Sequence, residues 1–310
     1  MENPKHVPVL LDEVLSFVPK GKIVYLDLTL GRAGHAEAVL EKADGIRLFV
    51  GVDRDEQALK ESEERLKPFS NIPMRFLHSA YAEAFVPLKR EGLRGADFIL
   101  MDIGVSSPQF DSPERGFSYR YDGPLDMRMD RRQDVTAAWI LKTYTEKQLA
   151  DMFFANAQCP CSRRVAHAIV EKRRDDPIDT TMKLVSIIRD SLPVRELEKK
   201  GHPAKQFFLA LRYEVNGELT ELAKGLEEAM DFLMPGGRLA VISFNFEEDR
   251  IVKSHIRARC RRKATDKFLP QEEEPDYFEA TRKPLVPSAD ELERNNRAKS
   301  AILRVVERRK

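Results

Sequence analysis

Four short apolar, β-prone runs alternate with helical patterns over the first hundred residues, which commits the chain to a parallel sheet covered on both faces. The strand-like runs lie at residues 23–30, 47–53, 74–77 and 96–102, and the helical patterns between them at 36–43, 56–67 and 82–89. The rhythm then stops. From 112 to 205 the periodicity is helical throughout, with helices expected over 145–155, 162–174 and 180–191. It resumes with a helix over 218–233, a turn at Met234-Pro235-Gly236-Gly237 and a strand over 238–244, and residues 277–286 and 300–306 suit a closing antiparallel pair. At 310 residues with 42% apolar content, the economical reading is one α/β domain (1–111 and 206–310) split by a helical insertion at 112–205.

The stretch from Asp102 to Asp130 follows directly on a buried strand and is rich in Gly, Pro, Ser and charge. Such a loop buries little apolar area, so it reads as a binding and catalytic loop rather than a stabilising one. Upstream, the turn Gly31-Arg32-Ala33-Gly34-His35 joins a strand to a helix, and Asp53 ends the next strand. Glycines there let the backbone approach a ligand, the helix N-terminus offers free N–H groups, and an acid about 20 residues on suits the hydroxyls of a ribose. The spacing is not G-x-G-x-x-G, which disfavours a dinucleotide and a nicotinamide dehydrogenase. A nucleoside-bearing cofactor without a pyrophosphate, such as S-adenosylmethionine, fits better. Tyr81 follows the third strand, where an aromatic suits an adenine and equally suits the core. Asp102 is placed to accept from an exocyclic amine, and Gln109 to pair with a base edge.

Lys and Arg total 52 against 51 Asp and Glu, so no global field advertises nucleic acid, and any basic surface is local. Three local sets stand out. Arg115, Arg120, Arg128, Arg131 and Arg132 interleave with Phe117, Tyr119 and Tyr121; Arg163, Arg164, Lys172, Arg173 and Arg174 share one helix; residues 257–263 form the densest run. Arginine beside aromatics is what single-stranded RNA needs. Cys159, Cys161 and Cys260 make neither a disulfide framework nor a zinc site. Acids interrupt the N-terminus too early for a signal peptide, and no apolar run is long enough to span a membrane, so a cytoplasmic, soluble protein is expected.

The chain resembles the bacterial 16S ribosomal RNA methyltransferase H family. The resemblance is carried by D-I-G-V-S-S-P-Q-F-D at 102–111, R-G-F-S-Y at 115–119 and D-G-P-L-D-M-R-M-D at 122–130. H-V-P-V-L-L from His6, the 31–35 turn, P-G-G-R-L-A-V-I-S-F from Pro235 and E-D-R-I-V-K from Glu248 extend it over nearly the whole chain. It implies a Rossmann-like, class I S-adenosylmethionine-dependent methyltransferase with an all-helical inserted domain. It also implies N4-methylation of a cytidine in the decoding centre, with 16S rRNA or the small subunit as partner, acting as a monomer or homodimer. Ala33, Gly34, His35, Asp53, Tyr81, Asp102 and Gln109 fall on the family's cofactor positions. Asp102, with Ser106 and Ser107 orienting the base, is the expected catalytic set, and no metal is implied. The family usually has Gly at 33 and Phe at 81; alanine is tolerated there provided the position does not need a positive φ. Ala157-Gln158-Cys159 replaces Gly-Glu-Glu, and Asn245-Phe246 replaces a His-Ser pair. The segment 202–209 lacks the family's usual Arg and Gln, and 295–300 differs from Asn-Pro-Arg-Ser-Arg-Ser. Two rival readings stay open: a diverged paralogue modifying another RNA, and a non-catalytic RNA-binding or assembly factor on the same fold.

Overall fold

The computed structural model describes residues 8–105, 107–261 and 274–310. His6, Ser106, Arg262 and Lys263 lie outside them. The chain forms two compact units, one from residues 1–104 with 220–310 and the other from 105–219.

The first unit is an open α/β sheet. Its strands are β1 (Ile23–Asp27), β2 (Ile46–Asp53), β3 (Met74–His78), β4 (Ala96–Asp102), β5 (Leu233–Ser243), β6 (Tyr277–Glu279) and β7 (Ile302–Arg308). They are ordered β3-β2-β1-β4-β5-β7-β6, with the first five parallel and β7 antiparallel to both β5 and β6. The expected closing antiparallel pair is therefore present, with an added bridge between Leu285 and Leu303.

Period-two alternation assigns the strand residues to two covered faces. Val24, Leu26, Ile99, Met101, Leu239 and Val241 join one core with Phe85, Leu88, Leu222, Leu226, Val252 and Ile256. Tyr25, Phe98, Leu100, Ala240 and Ile242 join another with Val14, Ala36, Val39 and Leu59. Both faces being apolar is why these strands read as continuous apolar runs rather than as alternating ones. The covering helices are α1 (Leu11–Phe17), α2 (Gly34–Lys42), α3 (Glu56–Leu66) and α4 (Phe85–Arg90), together with two later ones over Glu218–Asp231 and Phe246–Cys260. One expectation changes form: the turn at 234–237 is an irregularity inside β5, where pairing skips from Ala96↔Leu233 to Phe98↔Arg238. A Cβ at Gly237 would stand 2.8 Å from the Met234 carbonyl and 2.9 Å from that of Ala96, so the bulge excludes any side chain there.

The second unit is helical: α5 (Ser107–Asp111), α6 (Ala137–Thr143), α7 (Glu146–Ala157), α8 (Ser162–Lys172), α9 (Thr181–Ser191), α10 (Val194–Leu197) and α11 (Lys205–Asn216). The three expected helices appear within two residues of their predicted ends. Thr145 opens α7 through a capping box with Gln148, and Thr180 caps α9 through the Lys183 amide. The unit continues past 205 because α11 buries Phe207, Phe208, Ala210 and Leu211 in its core. Phe207 meets Phe153 edge-on at 5.0 Å. The remaining helices, α12 (Glu218–Asp231), α13 (Phe246–Cys260) and α14 (Ala289–Arg294), complete the chain.

Candidate active site

The strand ends of the first unit carry the site. β1 stops at Asp27, and the turn into α2 closes with Ala33 in the left-handed region at φ 57°, fully buried. The proviso for alanine at this position thus fails: a Cβ in that conformation costs about 1 kcal/mol or more, which glycine would avoid. Gly34 is needed for a different reason. A Cβ there would stand 2.8 Å from Pro8 Cγ, so the glycine admits the N-terminal segment against the start of α2.

Asp53, at the end of β2, ties this turn down. Its Oδ2 accepts from the Gly31 amide at 2.7 Å and its Oδ1 from the Asp55 amide at 2.8 Å. Burial raises its carboxyl above the ordinary value, and the two amide bonds offset only part of that rise. Each carboxylate oxygen has a second lone pair, so holding the turn leaves Asp53 able to accept from a pair of hydroxyls.

His35 is buried, and its Nε2 lies 2.9 Å from the Val9 carbonyl. That acceptor places the proton on Nε2, and burial lowers the ring's pKa, so the imidazole is neutral at pH 7. The lone pair of Nδ1 faces Asp102 Oδ2 at 3.6 Å, beyond hydrogen-bond length.

Asp102 ends β4, with its amide donating to Thr29 Oγ1 at 2.6 Å. Its Oδ1 is buried and has no hydrogen-bond partner among the described residues. Burial, then the charge of Glu248, raises this carboxyl from 3.8 to about 7. Since a buried polar atom without a partner costs roughly 1–3 kcal/mol, its place at a strand end marks a site awaiting a donor.

Three further residues shape the site that the sequence did not single out. Asp27 accepts from the Tyr25 hydroxyl at 3.1 Å and the Thr29 amide at 3.2 Å, and burial lifts it to about 6. Thr29 orients the Asp102 backbone. Glu248 is 1% exposed and accepts from the amides of Phe244 and Asn245 and from the Asn245 side chain. Only Glu248 had a readable signal, the Asn-x-x-Glu capping box that opens α13.

Tyr81 is buried against α12, where a Cβ on Gly225 would come 2.5 Å from its ring, and Arg54 lies 5.7 Å over its face. Its ring thus packs in the sheet unit's core, three residues past the end of β3. Gln109 and Ser107 lie on α5 in the helical unit, where Gln109 is buried.

Within the helical unit, part of the basic set is structural. Arg115 is buried and donates to the carbonyls of Arg128 and Met129. Arg128 forks onto Asp126 and donates to the Gln133 carbonyl, and Arg173 donates to the carbonyls of Leu141 and Tyr144. Arg120, Arg131, Arg163, Arg164 and Tyr121 are exposed and remain available to a polyanion. Tyr119 stacks on His202 at 4.5 Å.

The donors and acceptors at the strand ends fit a nucleoside-bearing cofactor: Asp53 for hydroxyls, the N-terminus of α2 for an anion, and Asp102 for an amine. Comparison with known proteins agrees in class. The chain is similar to the Ribosomal RNA small subunit methyltransferase H of Halothermothrix orenii, at 40% identity over 98% of both chains. To the protein of that name from Lactobacillus acidophilus it is 43% identical, over 98% of this chain and 99% of the other. A solved rRNA methylase from Streptococcus thermophilus aligns over 100% of this chain and 99% of that one, at 11% identity and a TM-score of 0.43. The model of the MraW methylase family matches residues 3–309. With that match running almost from end to end, the chain belongs to the MraW methylase family.

Proposed function

We propose that this protein methylates N4 of a cytidine in the decoding centre of 16S rRNA, using S-adenosylmethionine, in the cytoplasm and on the small ribosomal subunit. The observation that carries the reading is the buried, partnerless Oδ1 of Asp102 at the end of β4. The relatives' rRNA substrate and the exposed arginines of the helical unit support the choice of RNA. The cofactor, when bound, supplies an electrophilic methyl group.

The chain's own residues meet the remaining demands. An exocyclic amine is a poor nucleophile because its lone pair is delocalised into the ring. Accepting a hydrogen bond from that amine, Asp102 localises the lone pair and fixes its direction, and orientation of this kind is a major source of rate. As the new C–N bond forms, the nitrogen must lose one proton. Asp102, raised to about 7, is matched to accept it near neutral pH. Thr29 holds the Asp102 backbone, and the neutral His35 neither donates to its carboxylate nor neutralises it. The target base must leave its stack, or already be unpaired, to reach this strand end. Ser106, Ser107 and Gln109 are proposed to orient it.

The test is methyl transfer to 30S subunits with nucleoside analysis of the product. Wild-type protein is expected to yield N4-methylcytidine, and Asp102→Ala to reduce turnover at least about a hundredfold with the fold intact. Near-normal turnover in that variant, or another methylated nucleoside, refutes the reading.

A further inference from the structure

An unstacked pyrimidine presented to Asp102 needs a flat apolar surface, and the aromatics of the sheet unit are not equally available. Tyr81 is 9% exposed and committed to Gly225 and Arg54. Phe244 packs against the core of one sheet face and lies beside Gly104. Phe278 stands on the edge strand β6 with Arg309 5.5 Å over its ring. Phe246 differs from all three. It is 71% exposed, the first residue of α13, directly after the chain leaves β5.

Its place is tied to Asp102 from both sides. Asp102 pairs in register with Ile242, and the Ile103 amide donates to the Ile242 carbonyl at 2.9 Å. Two residues after Phe246, Glu248 supplies the charge felt by Asp102 and holds the Phe244 and Asn245 amides. The turn that presents Phe246 is thus anchored, and it follows the end of the strand paired with Asp102, whose Oδ1 has no hydrogen-bond partner among the described residues. Isolated exposed apolar residues are common on protein surfaces. An exposed aromatic on an anchored turn, just past the strand that pairs with Asp102 and on the ligand side of an open sheet, has a use that the others lack.

We infer that Phe246 is a substrate-binding residue: the face of its ring stacks on the unpaired pyrimidine whose amine is directed to Asp102. The inference rests on the proposed cytidine methylation.

The test uses the full chain and two probes: 30S subunits for turnover, and fluorescent oligocytidylate beside an abasic ribose-phosphate oligomer of equal length for binding. Phe246→Ala is expected to weaken oligocytidylate binding roughly 5- to 150-fold. Binding of the abasic oligomer and of S-adenosylmethionine should be unchanged, and Phe246→Tyr should restore the loss. With 30S subunits, KM should rise more than kcat falls. An affinity for oligocytidylate within twofold of wild type, or equal losses on both oligomers, overturns the inference while active wild-type protein leaves the methylation reading standing. Selective loss on oligocytidylate, in a protein that transfers no methyl group to 30S subunits, supports the contact and overturns that reading instead.

Discussion

Replacing Asp102 by asparagine separates what the carboxylate does for function from what it costs the fold. In the ligand-free protein its carboxyl is raised from 3.8 to about 7, chiefly by burial and then by Glu248. Below about pH 4 the group is protonated in both the folded and the unfolded chain, and contributes no penalty. Between about 4 and 7 the unfolded chain has released a proton that the folded chain retains, so the folded state loses relative stability as pH rises. Above about 7 the penalty is complete. A rise of about three pK units corresponds to roughly 4 kcal/mol, at about 1.4 kcal/mol per unit. The side chain keeps 27% of its exposure, so solvent screening brings the expected value to roughly 2–4 kcal/mol. Asparagine is nearly isosteric and neutral at every pH, and its amide can satisfy the site's hydrogen bonding without a buried charge. The variant should therefore lie within about 1 kcal/mol of wild type near pH 4.5 and exceed its stability by about 2–4 kcal/mol at pH 8.5, while losing methyl transfer. Relief of Asp27, whose own rise to about 6 includes repulsion from Asp102, adds in the same direction. Urea unfolding of both ligand-free proteins at half-unit pH steps reads this directly. A stability difference that stays flat from pH 4.5 to 8.5, or one that favours wild type at the alkaline end, refutes the assignment of Asp102 as a strained, ligand-seeking acid.

Two predictions concern the scaffold. Ala33→Gly relieves a left-handed alanine worth about 1–2 kcal/mol and forfeits a buried methyl worth about 0.8 kcal/mol, so stability should hold or rise by up to about 1 kcal/mol. Ala33→Val, a β-branched residue at φ 57°, should lose more than about 2 kcal/mol, and equally small thermal shifts in both variants would show that the turn carries no strain. In the helical unit, Asn216 accepts from the Met129 amide and donates to the Met127 and Arg212 carbonyls. Asn216→Ala strands those groups in the core and should cost about 2–4 kcal/mol, seen as accelerated amide exchange around 127–129; unchanged exchange there refutes the role.

Much of this architecture was legible because it is written in local periodicity. A strand buried on both faces must be apolar at every position, and residues 23–27, 46–53 and 96–102 are nearly so. Helices α7 to α9 announce themselves through capping threonines or an apolar stripe. What stayed hidden depends on partners distant in the chain. The apolar face of α11 is as visible as that of α12, yet periodicity says nothing about which core receives it, and Phe153 decides that from 54 residues away. Arg115 and Arg128 read as nucleic-acid ligands because charge is visible in a sequence and a carbonyl acceptor is not. Asp27 and Asp102 both end strands, and the sequence distinguishes them poorly. The Tyr25 hydroxyl and the Thr29 amide satisfy one carboxylate, while nothing among the described residues satisfies Oδ1 of the other.

The same limit makes the glycine turn only half legible in the sequence. Glycine near a strand end signals close approach, and Gly34 is closely approached, but by Pro8. The sequence marks Asp53 as a ribose acceptor, and the residue is also the anchor of the Gly31 amide. A residue that holds the turn and still offers lone pairs to a ligand couples the two tasks: whatever binds at Asp53 meets a turn already fixed by that carboxylate. Such preorganisation lowers the ordering cost of binding. It also accounts for an alanine being kept in a conformation that glycine would adopt without strain, since the Asp53 bond and the surrounding core over-determine the backbone at position 33.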